Sequence, residues 1–502
     1  MSVVVAVDAG TTGVRSMAVG EDGQILAWRY REFPQYFPRP GWVEHDPEEI
    51  WDAAAGTLSD LLAVLDEPVA AIGITDQRET VVVWDRRSGR PLHRALVWQD
   101  RRTASVCEAL AGAGHTDAIR RRTGLVLDPY FSATKLGWLF GPGGVTVDEH
   151  TAFGTVDSWL LWRLSSGRVH LTDTTNASRT LLYDIDRLRW DEELAELFGV
   201  PMSVLPEVGP SSGRLGTTAG GVIAGLPAGI ALSGVAGDQQ AALFGQACFV
   251  PGMTKNTYGT GSFVLMNVGP QRPEPVDGLL TTIAWSLGEV SDQATSYALE
   301  GAVFVTGAAV QWLRDGLGII SEAAEVGPLA ESTADTGGAY FVPALTGLGS
   351  PWWDPHARGV LVGLTRGVGR AQLARAAVEA MAYQTADVVR AMTEASGRNL
   401  TELRADGGAS VMDLLLRTQA DLLGVPVLRA AVADTTALGA AYLAGLAEGV
   451  WSTIEEVAGL WASHTRADPG PDREAAEAGY AGWHRAVQRA RRWAGDDGRR
   501  PG

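Results

Sequence analysis

The chain has 502 residues and a formal net charge of −18, with 46% hydrophobic and 20% charged residues, a composition of soluble globular proteins with room for two large cores or three smaller ones. The acidic balance argues against nucleic acid and anionic lipid as partners, and no apolar run reaches the ~18 residues needed to cross a bilayer. Cys107 and Cys248 are the only cysteines, which excludes a disulfide framework and a cysteine-rich metal site and points to a reducing cytoplasm.

Met1–Gly10 has no basic residue ahead of its short apolar run, so no secretory signal is expected. Val3–Val7 reads as a buried strand, followed by Asp8-Ala9-Gly10-Thr11-Thr12-Gly13 as a turn and Val14–Val19 as an antiparallel partner. A third strand is expected at Ile25–Tyr30. Asp46-Pro47-Glu48-Glu49 then combines an N-cap, a proline at the first helical position and acids in the first turn, which predicts a helix running to Leu65. Strands follow at Val69–Thr75 and Thr80–Trp84, flanking Asp76-Gln77-Arg78-Glu79. Ile230–Ala236 reads as a strand and Gln239–Phe244 as the start of a helix, with Asp238 at the junction.

From about Cys248 the opening pattern recurs: Thr254–Tyr258, a Gly259-Thr260-Gly261-Ser262 turn, then Phe263–Val268. We read this as an internal duplication with its boundary near 247, giving units over 1–247 and 248–494 and a frayed tail over 495–502. Helical patterns are expected at Gly301–Arg314, Arg370–Ala395, Met412–Leu423 and Thr435–Ala447, and a surface helix at Arg473–Trp493.

Lysine occurs only at Lys135 and Lys255, and no Gly-Lys pair exists, so the P-loop and the protein-kinase lysine motif are both excluded. GxGxxG and HExxH are absent. A GxSxG match at Gly209–Gly213 lies in a Pro/Gly/Ser loop without the strand and helix that a nucleophilic serine requires. Asp8 followed by Gly10, Thr11, Thr12 and Arg15 supplies what a nucleotide cradle without a P-loop needs, namely N–H and hydroxyl donors for phosphates and a carboxylate for hydrated magnesium. An ordinary hairpin turn accounts for the same residues equally well, and the second turn at 259–262 tips the balance. Gly407-Gly408 could bring backbone close to a flat ring. Asp238 is the candidate general base, a helix N-cap being its plainer reading; Arg78 and Glu79 add a donor and an acceptor, and Trp98, Tyr130 and Phe263 add apolar faces suited to a polyol.

The stretches DAGTTGVR (8–15), GITDQRET (73–80), VWQDRRT (97–103), DTTNASRT (173–180), SGVAGDQQAALFGQ (233–246), KNTYGTGSF (255–263), ALEGAVF (298–304) and TALGAAYLAGLA (436–447) resemble the FGGY family of carbohydrate kinases over nearly the whole chain, and within it the branch acting on glycerol. The resemblance implies an α/β protein of two ribonuclease-H-like domains, as in actin-like ATPases, with a central cleft. It also implies transfer of a phosphoryl group from ATP with Mg2+ to glycerol, and a homodimer or homotetramer. By the same resemblance Arg78, Glu79, Tyr130, Asp238 and Gln239 would bond the polyol, with Trp98 and Phe263 walling its carbons. Thr11, Thr12, Gly13, Arg15, Thr260, Gly307, Gln311, Gly408 and Met412 would form the nucleotide site, and Asp8 and Asp238 would lie near the metal.

The chain departs from the family pattern in places. Ala9 stands where Gln is frequent, Gly13 replaces a small hydroxyl residue, and Met412 stands where an Asn commonly meets adenine, which implies looser nucleotide selectivity. Asp76 stands where Asn is usual and implies added negative charge beside the polyol. Leu226–Leu232 contains no Arg and 220–236 no His, so neither fructose 1,6-bisphosphate inhibition nor a phosphohistidine switch is expected. Two rival readings stay open: a kinase of another small polyol or ketose, sustained by Asp76, and an actin-like ATPase switch.

Overall fold

The computed structural model describes residues 2–471 and 473–494; the tail expected at 495–502 lies outside them. The first sheet contains β1 (Val3–Ala9), β2 (Gly13–Gly20), β3 (Ile25–Glu32), β4 (Val69–Asp76), β5 (Ser212–Thr217) and β6 (Ala231–Gly237), in the order β5-β6-β4-β1-β2-β3. β1, β2 and β3 pair antiparallel, and β1, β4 and β6 run parallel. The second sheet contains β7 (Thr254–Tyr258), β8 (Ser262–Gly269), β9 (Leu280–Ser286), β10 (Thr295–Val303), β11 (Leu403–Asp406), β12 (Val427–Ala430) and β13 (Ser463–Ala467), in the order β9-β10-β8-β7-β11-β12-β13. Its β7-β8-β10 trio is antiparallel and its β7-β11-β12 trio parallel, so the duplication read from the two Gly/Thr turns extends to five strands of each sheet.

Helices cover both faces of the first sheet, as its near-continuous apolar strands require. They are α1 (Pro47–Leu62), α2 (Val156–Leu164), α3 (Asp238–Gly245) and α6 (Thr435–Ala447), whereas α4 (Arg370–Ser396), α5 (Asp413–Leu423) and α7 (Arg473–Ala490) pack with the second sheet. Asp46 caps α1 as expected, accepting from the Glu48 N–H at 3.0 Å. Along β1 the side chains alternate: Val5 and Val7 pack with α1 and α2, while Val4 and Ala6 pack with α3 and α6. The α3–α6 layer sits between the two sheets, since Leu265 of β8 and Ala298 of β10 join its cluster. Backbones here approach as only glycine allows: a Cβ at Gly73 would stand 2.1 Å from the Ala440 carbonyl oxygen, and one at Gly439 would stand 1.8 Å from that of Ala241.

Two expectations need correcting. Gly301 to Val303 completes β10 rather than opening a helix; the pattern becomes helical only at Gly307–Gln311 and a π-turn over Trp312–Gly316. Gly301 allows β10 to pass α4, where a Cβ would meet Val388 at 2.4 Å. The C-terminal helix is more than a surface element: Trp483 is fully buried, and Tyr480, Trp483 and His484 all bond the Asp387 carboxylate of α4.

Candidate active site

The parallel strands β1, β4 and β6 end side by side and deliver Asp8, the Gln77-Arg78-Glu79 turn and Asp238 to one place. Glu79 adopts φ 62°, a strained backbone for a non-glycine residue and one that recurs at functional sites; the bend delays the next strand to Val82–Asp85. Arg78 is 2% exposed and acts as the hub. Its Nη1 and Nη2 donate to Glu300 of β10 at 2.6 and 3.0 Å, its Nη2 lies 3.4 Å from the Tyr130 hydroxyl, and its Nε stands 3.2 Å from Asp238. Arg179 completes a buried tetrad, donating to Glu79 at 2.7 Å and to Glu300 at 3.0 Å. Sequence reasoning took no residue from the stretches carrying Glu300 and Arg179. A single acid among the apolar residues of Tyr297–Val303 was the available signal, because a buried carboxylate must find a cation.

Burial alone would raise the Glu300 carboxyl, but Arg179 and Arg78 outweigh it and hold it at about 2. Burial raises Asp238, opposed by Arg78 and Lys255. Its side chain stays 31% exposed, so it borders the cleft. Asp8 is pushed up to about 7 by burial and by the nearby Asp238, with Arg15 opposing. Two strand-end carboxyls, one of which raises the proton affinity of the other, are oxygen donors of the kind a hydrated magnesium ion arriving with nucleotide phosphates would use.

Trp98 and Tyr130 meet edge to face at 5.5 Å, and the Trp98 indole donates to Thr11 Oγ1 at 3.0 Å, which ties the first turn to the aromatic wall. Phe263 lies on β8 opposite Thr257 of β7. Gln239 follows Asp238 on α3, and its side-chain oxygen accepts from Lys255. In the first turn Thr12 Oγ1 lies 3.4 Å from the Tyr30 hydroxyl. Arg15 pairs with Asp434 and stacks near Trp28 and Tyr30, so its guanidinium already has a protein partner. A Cβ at Gly13 would stand 2.6 Å from both the Arg31 carbonyl oxygen and the Tyr30 hydroxyl, which accounts for glycine in place of a hydroxyl residue.

Thr260, Gly307, Gln311, Gly408 and Met412 line a single cavity of about 720 Å³. Gly408 presents only backbone to it, since a Cβ there meets no atom within 4 Å. Asp76 departs from expectation. Its carboxyl is fully buried and turned to Asn176 Nδ2 at 3.0 Å and the Asp157 N–H at 3.3 Å, within a network that includes Asp157 and Asp173. Burial, followed by Asp157, raises Asp76 well above the carboxylate range, with Asp238 also contributing. Ser211 of the GxSxG match is buried against Asp173 at 2.7 Å.

The family model for the N-terminal domain of FGGY carbohydrate kinases matches residues 3–245, and that for the C-terminal domain matches 254–448. The chain is 54% identical to a glycerol kinase of Dechloromonas aromatica over 498 residues, covering 98% of both. It is 52% identical to one of Carboxydothermus hydrogenoformans, again over 98% of both. A Plasmodium falciparum glycerol kinase solved with ADP superposes with a TM-score of 0.93 at 32% identity, covering 98% of each chain. A Lactobacillus acidophilus gluconate kinase shares the fold at TM-score 0.86 and 21% identity. The doubled sheets, the strand-end carboxylates and these matches agree: the chain belongs to the FGGY family of carbohydrate kinases.

Proposed function

We propose that the protein transfers the γ-phosphoryl group of MgATP to a terminal hydroxyl of glycerol, giving sn-glycerol 3-phosphate. The carrying observation is the Asp238 carboxylate, held 3.2 Å from buried Arg78 and bordering the cleft. Relatives 52–54% identical over nearly the full chain and named glycerol kinase support the choice of acceptor.

Asp238 accepts the proton of the attacking hydroxyl while that oxygen bonds to the γ-phosphorus and the bridging oxygen leaves with ADP. Arg78, Glu79, Tyr130 and Gln239 orient the polyol hydroxyls, and Trp98 and Phe263 pack on its carbon chain. The backbone N–H groups and hydroxyls of the 10–13 and 259–261 turns hold the phosphates, and the 720 Å³ cavity takes the nucleoside. Asp8 and Asp238 would hold the magnesium ion that arrives with ATP, whose chemistry there would be to neutralise phosphate charge. The unit over 1–247 carries the polyol site apart from Phe263 together with the first phosphate turn, and the unit over 248–494 carries the rest. Closure of the cleft excludes the water that would otherwise hydrolyse ATP. A cytoplasmic setting and a homodimer or homotetramer belong to the same reading; among the described residues no helix is long and apolar enough to cross a membrane.

The test is ADP release from MgATP with glycerol, erythritol, threitol, dihydroxyacetone, xylulose or no acceptor. Release that depends on glycerol supports the proposal. Preference for another acceptor overturns the assigned substrate, and release without acceptor favours an ATPase switch. Asp76 turns its carboxyl to Asn176, and the acceptor comparison decides between glycerol and another polyol.

A further inference from the structure

Lys255 is one of two lysines in the chain and is fully buried on β7, directly before the second Gly/Thr turn. Its ammonium donates to Gln239 Oε1 and, at 3.0 Å, to Thr257 Oγ1. Thr257 lies two residues along the same strand and therefore on the same face. Among the described residues Lys255 forms no ion pair; Asp238 and Asp406 act on it only at longer range, opposed by Arg78, and burial pulls it down to about 8. A buried ammonium resting on a neutral amide is costly, and apolar packing alone would be served better by a leucine or methionine.

What this arrangement fixes is the orientation of an amide. Lysine has three donors and no acceptor, so only the oxygen of Gln239 can face it. The Gln239 Nε2 group is thereby turned away, and it has no protein partner among the described residues. Gln239 belongs to α3, which extends from the first sheet, and Lys255 to the second sheet, so the orientation depends on both.

We propose that Lys255 is a positioning residue for acceptor specificity: it locks the Gln239 side chain with its NH2 group toward the cleft, so that this position donates to a polyol hydroxyl oxygen and disfavours acceptors that present only a donor there. This rests on the assignment of Gln239 to the polyol site. A freely turning amide would present either end and lose that discrimination.

The experiment compares wild type, K255M, K255R, Q239A and the double variant Q239A/K255M in glycerol and ATP titrations of steady-state ADP release. K255M is expected to raise the glycerol KM about 10- to 30-fold, with kcat and the ATP KM changing less than about 3-fold. K255R, which keeps a donor toward Oε1, is expected to recover most of the loss. The double variant should be no worse than the poorer single variant, because both remove one interaction. Q239E guards against a K255M protein that fails to fold: it keeps a partner for Lys255 but has no N–H to donate, and it should lose glycerol affinity while melting like wild type. An unchanged glycerol KM in K255M, additive losses in the double variant, or wild-type glycerol affinity in Q239E overturns the proposal. If wild type releases ADP with another acceptor instead of glycerol, the glycerol reading has failed separately, and the same variants are judged on that acceptor.

Discussion

Arg78 and Glu300 meet across the middle of the molecule, the arginine at the end of β4 in the first sheet and the glutamate on β10 in the second, through paired bonds of 2.6 and 3.0 Å. The pair buries two charges completely, with Arg179 sharing the same carboxylate. Removing Glu300 leaves two buried arginines sharing Glu79, with Asp238 as a further carboxylate near Arg78.

Glu300→Ala is therefore expected to destabilise the protein by about 3–5 kcal/mol, the usual cost of breaking a buried pair from one side. Thermal melting checks this. The double variant R78M/E300L should regain part of the lost stability while staying inactive, which separates the structural cost from the catalytic one.

Asp238→Asn removes the proposed proton acceptor and keeps the shape. Turnover is expected to fall by about 10² to 10⁴-fold, with nucleotide binding largely kept. Steady-state ADP release and calorimetric titration of ADP provide the two readings; activity near wild type removes Asp238 from the role of base.

Gly408→Val tests the large cavity without disturbing the fold. Gly408 does not adopt a positive φ, and its added Cβ meets no protein atom within 4 Å, so the side chain projects into space. The ATP KM is expected to rise about 10-fold or more, with an unchanged melting temperature and an unchanged glycerol KM. An unaltered ATP KM would move the nucleoside elsewhere.

The network behind the site predicts a pH dependence of stability. Burial raises Asp76, Asp157 and Asp173, with the Asp157 charge adding to the rise of the other two and Asp173 reaching about 7. Their folded values lie above their unfolded ones, so the stability they contribute is complete below about pH 4 and is lost as pH rises through the folded values. Each group contributes a decline of up to about 1.4 kcal/mol per pH unit between its unfolded and its folded value, an interval that for Asp173 ends at about 7. Asp76→Asn removes one such group and should flatten the fall in melting temperature across that range; a slope equal to wild type would mean that Asp76 is already ionised in the folded protein.

Local patterns made much of this legible in advance. Strand, Gly/Thr turn, strand is a short-range signal, and it located both hairpins; Asp46-Pro47 located the start of α1. Among the residues lining the 720 Å³ cavity, Thr260 was suggested by its Gly/Thr turn and Gly408 by its glycine pair, and Gly307, Gln311 and Met412 came from the family resemblance. Glu300 and Arg179 escaped because their meaning lies in each other, 121 residues apart. The partners of Asp76 were hidden for a related reason. Alternation along β4 cannot say which neighbour a strand-end side chain will find, and Asn176 lies 100 residues downstream. At Gly301 small residues suited to helix and strand alike left the pattern ambiguous, and pairing with β8 and β9 decided it.

The position of α6 bears on how the chain is made. This helix lies at 435–447, yet it covers the face of the first sheet where Gly73 and Gly234 touch the backbone of Ala440 and Ala444. A ribosome adding about 5–20 residues per second needs roughly 10–40 s after residue 247 before α6 is complete. For that interval the nascent first sheet carries an uncovered apolar face, a natural target for a chaperone that holds incomplete chains, and messages truncated anywhere before α6 should yield aggregating fragments rather than a free-standing first half.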